Sequence, residues 1–283
     1  MVETSAEIKA RTEMMIEKYH DISDAAMLKI GIAPCTVFTN SEQDFLHAVK
    51  MAKKYDVNLQ THVSESEFEQ KYILKKFKVT PVKYLQSLGW DDDRVSWVHG
   101  IEFNKQDLKL IKKGSQSVCH CPISNARVPI GQKGIAPIWE MLREKINVGI
   151  GVDGSAGNDS SNMLEEMRWA RILQGARKDA TYLKPIEVLK MGTINGAKAL
   201  RWDKAIGSLE VGKCADLAIF NGEDSLDYVG VWNKVGGLIS CQAKRAEIVI
   251  VNGKIVIENG QLLTQNETEL IKKANKVWRK TFY

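Results

Sequence analysis

Asn147-Val148-Gly149-Ile150-Gly151-Val152-Asp153-Gly154 can be read in two ways, and the choice between them decides the architecture. Gly149, Gly151 and Gly154 satisfy GxGxxG, the spacing that opens a phosphate-binding helix in dinucleotide folds. That reading needs a helix starting at the glycines and an acidic residue about 20 positions later, after another strand. Here an aspartate interrupts the glycines, and the polar stretch 155–161 intervenes before helical periodicity resumes. The better reading is a short apolar strand, 147–152, followed at once by an ionisable side chain, Asp153.

Moving outward, the same ending recurs. The β-like run 57–62 ends on His62 and the run 95–99 ends on His99; two more runs lie at 28–34 and 117–121. Helical periodicity fills the intervals: after Ser41, with Phe45, Val49, Ala52 and Tyr55 on one side, and then at 67–78, 81–88, 105–113, 135–145 and 160–177. Ahead of them, Thr4-Ser5-Ala6-Glu7 has the form of a capping box leading into an amphipathic helix. Strands alternating with helices imply parallel pairing and an α/β fold. A doubly wound sheet gathers ligands at one switch point, whereas a TIM barrel collects catalytic groups from many strand ends on one face. Three ionisable strand ends favour the barrel. Only five of its eight strand–helix units are readable, so residues 1–205 are expected to form a partial (β/α)8 barrel, about its last five units, with exposed sheet edges that favour association.

Beyond Leu200 the pattern changes. Residues 207–212 are turn-rich, 215–220 reads as a strand, and 247–251 and 254–258 flank Asn252-Gly253, the strongest short hairpin signal. Residues 206–263 are therefore expected to form the C-terminal part of a small β-sandwich domain, and 264–283 a basic helix.

Composition narrows the function. The 283 residues are 44% hydrophobic and 27% charged, with a net charge of +5, an ordinary globular balance. The one dense basic run, Lys272, Lys273, Lys276, Arg279 and Lys280 beside Trp278, reads as a solvated helix face, and no aromatic platform accompanies it, so no nucleic-acid partner is expected. No apolar stretch has signal or membrane length. Five scattered cysteines, Cys35, Cys119, Cys121, Cys214 and Cys241, do not make a disulfide framework, and a cytoplasmic, soluble protein is expected. On a strand, Cys119 and Cys121 would point one way and His120 the other.

The chemistry rests on Thr61-His62-Val63-Ser64-Glu65, Val98-His99-Gly100 and the run ending in Asp153-Gly154. Imidazole and carboxylate donors suit zinc or iron with an open position for water, whose pKa such an ion lowers to about 7. Glu65, three residues past His62, is placed to carry a proton to a substrate nitrogen. A lone histidine at a strand end is more often structural, and Asp153 before glycine can simply open a turn. Three such groups at β-ends reverse that judgement.

Cys121-Pro122-Ile123-Ser124-Asn125, Gly134-Ile135-Ala136-Pro137, Gly151-Val152-Asp153-Gly154-Ser155 and Asn158-Asp159-Ser160-Ser161-Asn162 with Glu165-Glu166 resemble the hallmark run of the amidohydrolase superfamily. Within it they look like the aminohydrolase branch of 8-oxoguanine deaminase, guanine deaminase and the triazine hydrolases. Tyr19-His20-Asp21, Ile32-Ala33-Pro34-Cys35 and the His62…Glu65 series are most similar to the 8-oxoguanine type, and 207–212, Ala215-Asp216-Leu217 and Val251-Asn252-Gly253-Lys254 to the family's C-terminal sandwich half. The resemblance implies one Zn2+ or Fe2+ per complete site. His62 and Asp153 would bind the metal, and His99 would lie at the metal or hydrogen-bond the water or substrate. Glu65 would be the proton shuttle and Asp153 the acceptor of the water's proton, with His120 and Asn125 near the pocket. The implied reaction is hydrolytic deamination of a small heterocyclic amine such as 8-oxoguanine or guanine, by a homo-oligomer in the full-length form. One departure stands out: the family's HxH pair does not occur among His20, His47, His62, His99 and His120. The chain is accordingly expected to be an N-terminally truncated member whose metal can be missing. An inactive paralogue or interaction subunit, or a triazine-type chlorohydrolase, are the alternatives.

Overall fold

The computed structural model describes residues 4–128, 135–222, 226–241 and 245–282. Gly134 of the motif and Tyr283 of the expected basic helix lie outside them.

Helix α1 (Ser5–Tyr19) starts at the expected capping box, with Thr4 and Glu7 exchanging backbone and side-chain bonds. Ser41 and Asp44 cap α2 (Glu42–Tyr55) in the same way, and that helix buries Phe45, Ala48, Val49, Met51 and Ala52. The chain then alternates. Strand β1 (Leu59–Val63) leads through α3 (Glu67–Phe77) and α4 (Pro81–Ser87) to β2 (Val95–His99), and α5 (Lys105–Lys113) leads to β3 (Ser117–His120). Next come α6 (Pro122–Arg127), α7 (Ile138–Arg143), β4 (Asn147–Ile150), α8 (Met163–Arg177), α9 (Pro185–Met191) and α10 (Ile194–Ala199).

The four strands are parallel in the order β1-β2-β3-β4, with His62 beside Val98 and Cys119 beside Gly149. Parallel pairing puts every C-terminal strand end on one side, which is how residues far apart in sequence meet. Burial on both faces explains the continuous apolar runs: β2 is buried at every position. Two tryptophans, Trp97 within β2 and Trp90 ahead of it, are fully buried. Gln116 satisfies both, accepting from Trp97 Nε1 at 3.1 Å and donating to the Trp90 carbonyl at 2.7 Å. Along β4 lies α10, where Asn147 donates to the Asn195 carbonyl at 2.9 Å and Asn195 donates to that of Val148 at 3.1 Å. Gly149 permits this approach, because a β-carbon there would stand 3.1 Å from the Cα of Gly196.

A fifth parallel strand, expected at 28–34, is not formed among the described residues. Only Ile32 bridges Leu59, while Gln60 N–H donates to the Ile32 carbonyl and His62 N–H to that of Cys35. Pro34 has no N–H to give, so the pairing skips there and no regular ladder forms.

The second sheet is antiparallel, ordered β5 (Leu217–Ile219), β6 (Ile248–Val251), β7 (Lys254–Glu258) and β8 (Gln261–Leu262). Asn252 and Gly253 turn the β6–β7 hairpin at φ 46° and 76°, the doubly left-handed turn expected of Asn-Gly. Asn259 and Gly260 repeat it at φ 50° and 71° before β8, a second hairpin that the sequence reading missed. Also unforeseen is α11 (Lys234–Ser240), which packs on α8 and α9 and buries Ile239. The basic helix is present as α12 (Glu267–Phe282). No helix among the described residues is long and apolar enough to cross a membrane.

Candidate metal centre

Three residues at or beside the site mark places where the backbone leaves the sheet in a left-handed turn: Ser64 after β1 (φ 52°), His99 at the end of β2 (φ 74°) and Asp153 beyond β4 (φ 62°). Such a conformation costs about 1–2 kcal/mol for a residue with a β-carbon, and histidine and aspartate tolerate it better than most.

The turns bring His62, His99 and Asp153 together, with one ligand atom from each lying within 4.8 Å of the others. His62 Nε2 is 3.7 Å from Asp153 Oδ1, and His99 Nε2 is 3.9 Å from Asp153 Oδ2. The two imidazoles stack with centroids 5.1 Å apart. Glu65 reaches the same spot, its Oε1 3.5 Å from His99 Nε2. All four residues expected at the centre are thus found in one cluster. His20, at the end of α1, and His47, within α2, belong to other parts of the fold.

Each of the three donors is oriented from behind. The Cys35 carbonyl lies 3.0 Å from His62 Nδ1 and accepts its N–H, which leaves Nε2 as the ligand atom. The Asn125 Oδ1 does the same for His99 at 2.8 Å. Ser124 donates to Asp153 Oδ2 at 2.5 Å. Two imidazole nitrogens and a carboxylate, each held by a hydrogen bond on its far side, fit a catalytic zinc site of three protein ligands with room for water. Burial holds His99 below its usual pKa and so neutral, despite Glu65 nearby. Burial pushes Asp153 upward, but its hydrogen bonds, first that from the Ser124 hydroxyl, keep the carboxyl below its usual range.

Several supporting residues were not singled out from the sequence. Glu69 is buried and accepts the Glu65 N–H at 3.0 Å, while Gln70 donates to Ser64 Oγ at 2.8 Å, so the first turn of α3 straps down the strained Ser64–Glu65 segment. Burial lifts the Glu69 carboxyl to about 7. Ser124 and Glu166 stood within the motif run but carried no role; nothing local in the sequence marks a side chain that touches a site residue from another element. His120 and Asn125 differ. Asn125 contacts His99, whereas His120 is fully buried with neither ring nitrogen hydrogen-bonded, and burial drives its pKa to about 3. The sulfurs of Cys119 and Cys121 lie side by side against Gly151, where a β-carbon would stand 2.7 and 3.5 Å from them. None of the five cysteines is in a disulfide. The Gly151–Gly154 segment runs into turns, and α8 begins only at Met163, so the dinucleotide reading fails as expected.

The model of the amidohydrolase family matches residues 3–260. An 8-oxoguanine deaminase from Pseudomonas aeruginosa is 37% identical over 253 residues, covering 89% of this chain and 55% of the relative. Among solved structures, an adenosine deaminase from Xanthomonas campestris with bound zinc superposes with a TM-score of 0.92 at 27% identity, covering 99% of this chain and 62% of that one. A zinc complex of atrazine chlorohydrolase from Arthrobacter aurescens gives a TM-score of 0.90 at 28% identity, covering 98% and 60%. The chain therefore spans less than two thirds of the length of each of these proteins.

Proposed function

The chain belongs to the amidohydrolase family, and from that premise we propose that it serves metal-dependent hydrolytic deamination of an amino-substituted aromatic heterocycle. The observation that carries this reading is the convergence of His62, His99 and Asp153, with Glu65 3.5 Å from His99. Zinc is the proposed ion, supported by the zinc in both solved relatives. Held by these residues, it would lower the pKa of a coordinated water to about 7. Asp153, ionised and held by Ser124, takes the proton that water loses as its oxygen adds to the amine-bearing carbon. Glu65 delivers a proton to the ring nitrogen, takes up the hydroxyl proton of the addition intermediate as the carbonyl forms and passes it to the departing amine. The proton held by Asp153 then restores Glu65, so that water enters and ammonia leaves. Neutral His99, its Nδ1 proton committed to Asn125, keeps Nε2 facing the reacting centre.

Identity to the Pseudomonas enzyme favours 8-oxoguanine as substrate. The division into a hydrolase barrel part, 1–205, and a sandwich part, 206–263, belongs to the same proposal.

The test is zinc uptake by the purified chain, alone and as Asp153→Asn, followed by ammonia release from 8-oxoguanine and chloride release from atrazine. One equivalent of zinc, lost in the variant, is expected. Zinc bound equally well by Asp153→Asn would overturn the site, and chloride release without ammonia would overturn the deaminase reading.

A further inference from the structure

We infer that Glu166, which touches none of the site residues, is a positioning residue for the centre, acting through α6 on His99 and Asp153 together; this rests on the proposed roles of those two residues. Helix α6 is only six residues long, and its first residue is a proline. Its N-cap, Cys121, offers no side-chain hydrogen bond, so nothing local satisfies the first free N–H groups. Yet this short helix carries both Ser124, bonded to Asp153, and Asn125, bonded to His99. A helix of that length has no stability of its own and must be held by its surroundings.

Glu166 supplies the hold. It projects from α8, is fully buried, and accepts the Ile123 N–H of α6 through Oε2 at 3.2 Å. Its other oxygen accepts from the Asn158 side chain. Asn158 is itself buried, and its Oδ1 takes the N–H groups of Ser160 and Ser161 at 3.2 and 2.9 Å. One carboxylate therefore ties three segments together: α8, the start of α6, and the 154–162 loop that follows Asp153. The loop in turn closes on α6, since a β-carbon at Gly157 would stand 2.7 Å from Ser124 Oγ, and Arg127 pairs with Asp159. Burial raises the carboxyl to about 7, a state the fold retains although an apolar residue would avoid it. An apolar replacement would leave Ile123 N–H and the Asn158 amide without acceptors.

The experiment uses Glu166→Gln, which keeps the shape but turns one acceptor into a donor facing a donor. In the metal-free chain, the Nδ1 proton of His99, identified by its absence in His99→Gln, is followed by NMR. The wild type should show it protected from exchange, and Glu166→Gln should exchange it at least about tenfold faster. In parallel, the zinc Kd by chelator competition should rise roughly 10–100-fold. A merely structural role predicts a lower Tm with the His99 signal unmoved, and that outcome overturns the inference, as does a wild type with no protected signal. A protected signal lost in the variant, with zinc taken up by neither protein, would sustain the positioning role and sink the metal reading instead. If Glu166→Gln does not fold, Glu166→Asp, which withdraws the carboxylate from Ile123, carries the same readout.

Discussion

The two sheets use the same residue types to different ends. In β1–β4, Val, Ile and Trp side chains are buried against helices, with Trp97, Val118 and Val148 fully so. In β5–β8, Val and Ile again dominate, but β6 is only half-buried throughout and Ile219 and Ile255 are 45% and 48% exposed. Among the described residues, every buried polar or charged one lies before residue 175, and beyond residue 206 Ile239 is the one large apolar side chain that is buried. The comparison separates two ways of specifying a sheet. Turn chemistry dictates the β6–β7 and β7–β8 hairpins of the antiparallel one, through the Asn-Gly pairs at 252–253 and 259–260. The parallel sheet depends on helices packed against it, and most of its buried polar residues, His120 excepted, have a hydrogen-bond partner.

The largest effect should come from the parallel sheet's packing. Trp97→Ala removes a fully buried indole and its bond to Gln116, and should cost roughly 3–5 kcal/mol in urea unfolding. Ile255→Ala, at a half-exposed site, should cost less than about 1 kcal/mol. Equal losses would erase the distinction between the sheets. The next effect is a pH dependence carried by a histidine buried in the first sheet. His120 is held neutral to about pH 3, while an unfolded histidine gains a proton below about 6.5. Its contribution is therefore complete above pH 6.5 and is lost as pH falls toward 3, at about 1.4 kcal/mol per pH unit. His120→Leu should flatten the measured slope by that amount in that window, and an unchanged slope would mean that the imidazole is solvated. Smallest is the hairpin: Asn252→Ala, at φ 46°, should cost about 1 kcal/mol and be seen as faster amide exchange in β6 and β7, with β1–β4 unaffected.

Legibility followed the same line. The strand ends at His62, His99 and Asp153, the helix after Ser41 and the hairpin at Asn252-Gly253 were readable because their signals are local: an apolar run with an ionisable end, a cap, a turn pair. The 28–34 run was misjudged because Pro34 breaks a ladder that its apolar residues otherwise suit. Helix α11 escaped notice because Gly236 and Gly237 weaken its pattern, and it is held by burying Ile239 against helices far away in sequence. Glu69, Ser124 and Glu166 could not be assigned for a related reason. Their roles exist only once α3, α6 and α8 have been brought beside the strand ends by packing.

The left-handed turns at Ser64, His99 and Asp153 have a consequence for engineering. Selection for thermal tolerance alone would favour glycine at such positions, since it removes the steric cost. At His99 and Asp153 the gain would delete a donor atom, and at Ser64 it would release the Gln70 contact that steadies Glu65. Variants of this chain chosen by heat resistance should therefore be checked at these three positions first, because that is where robustness and chemistry pull on the same backbone in opposite directions.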